Sequence, residues 1–261
     1  MVIHLQDKSC SYEHLQKNTS LFAYHIGNLD SFFFPSCTWY GTLEDKTLAD
    51  IVLVYRGPST PTVLALSMTS AMPQLIQAIK NDLPDRFFCH YQKELEHEFV
   101  SSYRMTPFGT HLKMDFHGFP SDLSSSNVQD CIQLTHGDET QLRKLYQIAY
   151  PKNYFNPQML ATEKYYGIKK DGDIMSVAGV HVYSRTYRVA VLGNVTTHPS
   201  MRNHGLAKRC VVSLLKTLEH EVDFIGLNVK ADNHPAIALY HAIGFKITSM
   251  YEEALFQRYS H

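Results

Sequence analysis

The residues whose types and spacing could do chemistry lie around Arg202, Gly205 and Ala207, in the run TTHPSMRNHGLAKRC. A β-rich stretch from Arg188 to Thr197 passes through a turn at His198-Pro199-Ser200 and enters a helix that opens on Arg202-Asn203-His204-Gly205-Leu206-Ala207. At such a mouth the first N–H groups have no intrahelical acceptor, and the positive end of the helix dipole points the same way. That combination suits a phosphate. Gly205 has no Cβ and Ala207 only a methyl, so a bulky anion can approach the main chain closely, with Arg202 and Lys208 beside it. From Leu206 the apolar stripe Leu206, Cys210, Val211, Leu214, Leu215 and Leu218 repeats at helical period, which makes this an amphipathic helix docked on a sheet.

A second block, DFIGLNVKADNHPAIALYHAIGF, follows. Ile225, Leu227 and Val229 alternate along a strand, which puts Asn228 on its other face. Asn233 precedes Pro235 and a helix, Ala236 to Ile243, that ends at Gly244 as a left-handed cap. Tyr240 stands about two helical turns beyond Asn233. Its phenol, with an ordinary pKa of about 10, is protonated at neutral pH and can donate. No Lys-Ser or Lys-Thr pair follows Gly205 to hold magnesium, which weakens a nucleotide-triphosphate reading. The 15 histidines, His90, His97, His111 and His117 among them, lack metal-ligand spacing, so no metal is expected.

The elements that must position these residues follow from pattern. The chain has 261 residues, 44% hydrophobic and 19% charged, enough for one large or two modest globular domains. A net charge of −1 gives no field for nucleic acid or an anionic membrane surface. Five scattered cysteines, an N-terminus without a secretory pattern and the lack of a long apolar run together suggest a soluble, cytoplasmic protein with reduced thiols. In the first half, helices around Ser11–Asn18 and Ser20–Asp30, strands in FFFPSCTWYGTL, LADIVLVYRG and PTVLALSM, a helix over Ala71–Asn81, a strand at Phe87–His90, a polar helix QKELEHEF and a strand around SSYRMTPF are expected. No phosphate-type turn occurs there. The Ser-rich stretch His117–Asp130 reads as a linker, which places the boundaries at 1–120, 121–127 and 128–261. In the second half Cys131–Leu134 is β-like and Asp138–Ala149 is a helix. Asn156-Pro157 caps a short helix, and Tyr165–Lys170 and Ile174–Tyr183 form a hairpin about Asp171-Gly172.

The turn read as Arg202, Gly205, Ala207, joined with YPKNYFNPQML, YYGI, VAGVHVYS, VLGNVTTHP and LNVKADNHPAIALYHAIGF, resembles the GNAT superfamily of N-acetyltransferases. It resembles in particular a two-domain branch with a degenerate N-terminal domain of the same shape. The resemblance is strong after Val128 and loose before it. It implies an α/β (α+β) GNAT fold, a mixed and mostly antiparallel sheet flanked by helices, preceded by a second, degenerate GNAT-like domain. That first domain would be a packing partner, one wall of the acceptor pocket, or a homodimer surface.

The same resemblance implies acetyl-CoA as cofactor. Its pantetheine arm would run beside the strand at Val195 and Thr197, and its diphosphate would lie on the amides from Asn203 to Lys208, with Asn233 nearby. The strand in DFIGLNVK would splay from the preceding one to leave a wedge for the thioester. Tyr240 matches the family's tyrosine that protonates the leaving thiolate, and Val195 or Gly193 could polarise the carbonyl. Many family members carry a glutamate on this strand, whereas Arg188–Thr197 has no carboxylate. Glu163, His181, His198 or ordered water are the candidates for the base. Tyr165, Tyr166, Asn194, Thr196, Tyr154 and Phe155 are candidates for the acceptor pocket. The expected function is acetyl transfer to an amine of a small molecule or peptide in a ternary complex. The alternative is a catalytically weak acyl-CoA-binding sensor or regulatory module that has lost its base.

Overall fold

The structure, a computed structural model, describes residues 1–57, 60–121, 123 and 130–259. The chain divides into two compact units, Met1–Lys113 with Val229–Asn233 and Ile247–His261, and Met114–Asn228 with His234–Lys246.

In the first unit β1 (Val2–His4), β2 (Cys37–Glu44), β3 (Thr47–Tyr55) and β4 (Thr62–Ala65) are joined by β5 (Arg86–Tyr91), β6 (Tyr103–Phe116) and β12 (Phe245–Arg258). Their order is β1-β2-β3-β4-β5-β12-β6. The one parallel pair in the registers of this unit, β4 with β5, is bridged by α3 (Met72–Ile79). Leu75, Ile76 and Ile79 of α3 meet Phe87, Phe99 and Phe256 in one apolar cluster. α1 (Lys8–Leu15), α2 (Thr19–Asn28) and α4 (Glu96–Val100) complete it. The strand expected around residues 101–108 runs on to Phe116.

The contiguous split at 121–127 differs from this arrangement. Residues 247–258, assigned by pattern to the second domain, pair antiparallel with β5 from Glu252↔Tyr91 to Gln257↔Arg86. Their apolar side chains explain why: Ala254 and Phe256 are buried completely in the first unit's core. Of the expected linker, residue 122 and residues 124–127 lie outside the described residues.

In the second unit the order is β11 (Phe224–Lys230), β10 (Val189–Thr197), β9 (Asp173–Ser184), β8 (Tyr166–Lys170), β7 (Ile132–Gln133). β8 and β9 turn at Asp171 and Gly172, with φ of 52° and 86°, the left-handed pair that a two-residue hairpin requires. β10 and β11 are parallel, so the chain must cross over between them, and α6 (Leu206–Leu218) makes the crossing. Cys210, Val211, Leu214, Leu215 and Leu218 of its stripe are fully buried. α5 (Glu139–Ala149) follows a turn capped by the Thr135 hydroxyl and the Asp138 carboxylate. The segment after Asn156 is helical but of the tighter 3-10 type, Pro157–Thr162. α7 (His234–His241) ends as Gly244, with φ of 117°, returns its N–H to the Tyr240 and His241 carbonyls.

Candidate active site

The helix mouth is built by two left-handed residues. Asn203 and Gly205 have φ of 64° and 71°, and α6 begins only at Leu206, later than the sequence pattern placed it. Arg209 is the first residue whose N–H finds the helix ladder, at Gly205 O, 3.1 Å. Among the described residues the six N–H groups from Asn203 to Lys208 have no acceptor in the protein. A Cβ on Gly205 would meet nothing within 4 Å, so the space above these amides is open. Arg202, Asn203 and His204 are exposed, Ala207 and Lys208 half-buried, and Leu206 anchors the turn in the core. The corresponding crossover of the first unit is closed by its own side chains. Ser67 Oγ and Thr69 Oγ1 accept from the amides of Thr69 and Ala71, both at 3.3 Å, and Pro73 removes another donor.

Beside this mouth β10 leaves β11. The paired register ends at Leu192↔Leu227, yet β10 continues to Thr197. On its other edge β10 stays with β9, through Gly193↔Gly179, Thr196↔Val177 and Thr197↔Ser176, with Asn194 and Val195 set against the single residue Ala178. That is a β-bulge, and it re-aims the strand where it separates from β11. From Gly193 to Thr197 the β11 side of β10 therefore has no ladder partner in that register, and Thr197 O accepts from Arg202 Nε at 3.5 Å. Asn228, the first β11 residue past the last pair, has a buried Nδ2 with no hydrogen-bond partner, a donor waiting for an acceptor at the root of the wedge.

The bulge is held from behind. Asn194 is left-handed, φ 55°, and its carbonyl accepts from the Tyr146 hydroxyl at 2.9 Å. Its Nδ2 donates to the Tyr165 hydroxyl at 3.0 Å, and that hydroxyl donates to Val180 O at 3.1 Å. Tyr165 and Asn194 are thus core residues that fix the strand, not lining of an acceptor pocket. Tyr166 bonds Thr217 of α6. Phe155 packs its ring on Tyr146 and Tyr165, at 5.1 and 5.7 Å.

Tyr240 of α7 is buried, with its ring edge-on to Phe245 at 5.8 Å. Burial, and next the electrostatic influence of Tyr150, raise its pKa well above the ordinary phenol value. It is a proton donor over the whole neutral range. Asn233 is exposed just ahead of α7, its N–H on Lys230 O at 2.9 Å.

The base candidates separate. Glu163 is exposed at the end of the 3-10 segment. His198 uses Nδ1 to cap Ser200 N at 3.3 Å. His181 lies flat against β10, since a Cβ on Gly193 would fall 2.2 Å from its ring, and Tyr154 packs edge-on at 6.1 Å. Burial lowers its pKa and keeps it neutral. Among the described residues no group of three or more His, Cys, Asp or Glu could hold a metal. No described helix is long and apolar enough to cross a membrane.

Comparison with known proteins sets this bulged strand and open helix mouth beside those of acetyltransferases. Residues 131–245 match the model of the acetyltransferase (GNAT) family. N-alpha-acetyltransferase RimI of Mycobacterium tuberculosis is 28% identical over 129 residues, 48% of this chain and 75% of that protein. A Drosophila protein solved by structural genomics aligns with 98% of each chain at a TM-score of 0.72 and 13% identity. A GCN5-related N-acetyltransferase from Sphaerobacter thermophilus covers 100% of this chain and 97% of its own, at 0.61 and 11%. Residues 131–245 thus resemble the acetyltransferase (GNAT) family, and the fold is that of GNAT proteins.

Proposed function

We propose that this enzyme transfers the acetyl group of acetyl-CoA to the amine of a small molecule or peptide, directly within a ternary complex. The observation that carries the reading is the run of six unaccepted amides, Asn203 to Lys208, beside the gap where β10 has left β11. These amides, with Arg202 and Lys208, suit a diphosphate. Val195 and Thr197 offer main-chain partners to an extended pantetheine arm, and Asn228 Nδ2 an unused donor. Asn233, exposed before α7, completes the set of cofactor contacts. The thioester supplies an activated acyl carbon. The acceptor amine attacks it, the C–S bond breaks, and Tyr240 gives its proton to the departing sulfur. His181 has the support of lying against Gly193 in neutral form as the group that takes the amine's proton.

Incubation with acetyl-CoA and a panel of small amines and peptides, reading thiol release, tests the assignment. Release with at least one acceptor is expected. The absence of a carboxylate from β10 favours a second reading, an acyl-CoA sensor. Tight coenzyme A binding with no release from any acceptor would select it.

A further inference from the structure

β11 brings to the site a donor that no protein group uses. Asn228 Nδ2 is buried and, among the described residues, has no hydrogen-bond partner. A buried donor left unpaired is costly, so a position that keeps one points to an acceptor that arrives with a ligand. Leu192↔Leu227 is the last β10–β11 pair, so Gly193 and Asn228 are the next positions on the two strands and, by alternation, lie on the face opposite to Leu192 and Leu227. On that face the His181 ring covers Gly193, with its Nε2 edge where a Cβ would sit. His181 and Asn228 therefore share one face, on either side of the line along which β10 leaves β11. Tyr154 packs edge-on to His181 at 6.1 Å. Its loop is tied by Asn153, whose Nδ2 donates to Tyr150 O at 2.7 Å and whose Oδ1 accepts from Phe155 N at 2.8 Å.

We propose, resting on the acetyl transfer set out above with His181 as the group that takes the amine's proton, that Asn228 is a specificity-determining residue. It selects acceptors that carry an α-amino carbonyl group (N–Cα–C=O), as a peptide N-terminus or an amino-acid amide does. Asn228 Nδ2 donates to the carbonyl oxygen, while the amine nitrogen presents an N–H to His181 and its lone pair to the thioester carbon. The bonds that change are those of acetyl transfer: N–C forms, C–S breaks, His181 holds the amine's proton and Tyr240 has supplied one to the sulfur.

The dimensions agree. Nitrogen and oxygen of an α-amino carbonyl group lie about 3 Å apart, so with a hydrogen bond at each end the group bridges partners up to about 9 Å from each other. Neighbouring strands are about 4.8 Å apart where they pair, and these two are parting. A simple alkylamine, or the side-chain amine of a lysine, presents no oxygen at that distance and leaves the buried donor unpaired. The side-chain amide of Asn228 is neutral, so it can serve a peptide or amide carbonyl that carries no charge.

Steady-state kinetics at saturating acetyl-CoA test the proposal with matched acceptors: alaninamide against ethylamine, phenylalaninamide against phenethylamine, and the corresponding dipeptide amides, each rated on its unprotonated amine. The carbonyl-bearing member of each pair should have the higher kcat/KM by about tenfold or more, and Asn228→Ala should remove most of that ratio, chiefly through KM. Both members of a pair meet the same protein, so any change in coenzyme affinity cancels. Calorimetry on protein saturated with coenzyme A should show the preferred amide binding about tenfold more weakly to Asn228→Ala. A preference for dipeptide amides over single amides would assign a polypeptide N-terminus, and the reverse a small amide. Equal kcat/KM within the pairs for the unaltered protein, a result that needs no variant to fold, would overturn the role of Asn228 and leave acetyl transfer standing. Thiol release with no acceptor of the panel would remove both.

Discussion

Tyr240 shows how a single residue's environment fixes what it can do. Its pKa is raised by burial and by Tyr150, so it cannot serve as a base near neutrality but can donate throughout that range. Tyr240→Phe removes the proton and little volume. We expect turnover to fall about 100-fold or more, the usual worth of a placed acid, with coenzyme A affinity within twofold of the original. Equal turnover in steady-state assays would make Tyr240 a packing aromatic. Its candidacy came from the resemblance, which matches Tyr240 to the family's tyrosine, and not from spacing alone. The part Tyr165 and Asn194 play in holding the bulge had no local signal in the sequence. A bulge that turns Asn194 inward, with φ of 55°, leaves no trace in an alternating apolar pattern.

At the scale of elements, the two crossovers of the chain make a natural comparison. Both link parallel strands through a helix, but α3 spends its first donors on Ser67, Thr69 and a proline, whereas α6 leaves six amides open. The left-handed turn is what keeps them open. Gly205→Val would place a β-branched residue at φ 71°, which costs about 1–2 kcal/mol in the backbone, and would put methyl groups into the space above the amides. Coenzyme A affinity measured by calorimetry should fall at least tenfold, while the circular dichroism of the helices stays unchanged. The stripe from Leu206 to Leu218 announced α6 plainly. Its first residue was less visible, since Asn203 reads as an ordinary polar residue until its backbone turns left-handed.

The molecule as a whole titrates through its buried rings. Burial, and then Lys113, hold His25 at about 3, and burial also lowers His181. Both are neutral in the fold while the unfolded chain would take up protons near pH 6.5, so their contribution is present above that pH and is lost as pH falls toward 3. Tyr146, Tyr165 and Tyr240 are shifted upward by burial, so their contribution is present below about pH 10 and declines above it. Burial also raises the thiols of Cys37 and Cys89, which ionise in the unfolded chain above about pH 8.5, so thermal midpoints should form a plateau from about pH 6.5 to 8.5 and drop on both sides; a midpoint that keeps rising below pH 6 would refute the assignment.

The first unit depends on β12. Phe256 packs on Phe87, Phe99 and Tyr103, with ring centroids at 5.5, 4.9 and 6.4 Å. Arg258 binds Asp85 and the carbonyls of Lys80 and Leu83. Losing a buried phenylalanine alone costs about 3–5 kcal/mol, against a typical total of 5–15. A fragment of residues 1–120 should give a collapsed amide NMR spectrum, and a dispersed one would show β12 to be dispensable. Which sheet this strand joins was not readable locally. FKITSMYEEALFQR alternates like any half-buried strand, and its partner β5 lies more than 150 residues earlier.

The same pairing sets an order of events during synthesis. β5 and β6 leave the ribosome long before their shared neighbour exists, so the first-made half of the polypeptide must wait with an unfilled strand position, exposed to wrong partners. The N-terminal unit therefore stays incomplete until Phe245–Arg258 has been made, so a strand encoded far downstream closes a unit begun much earlier.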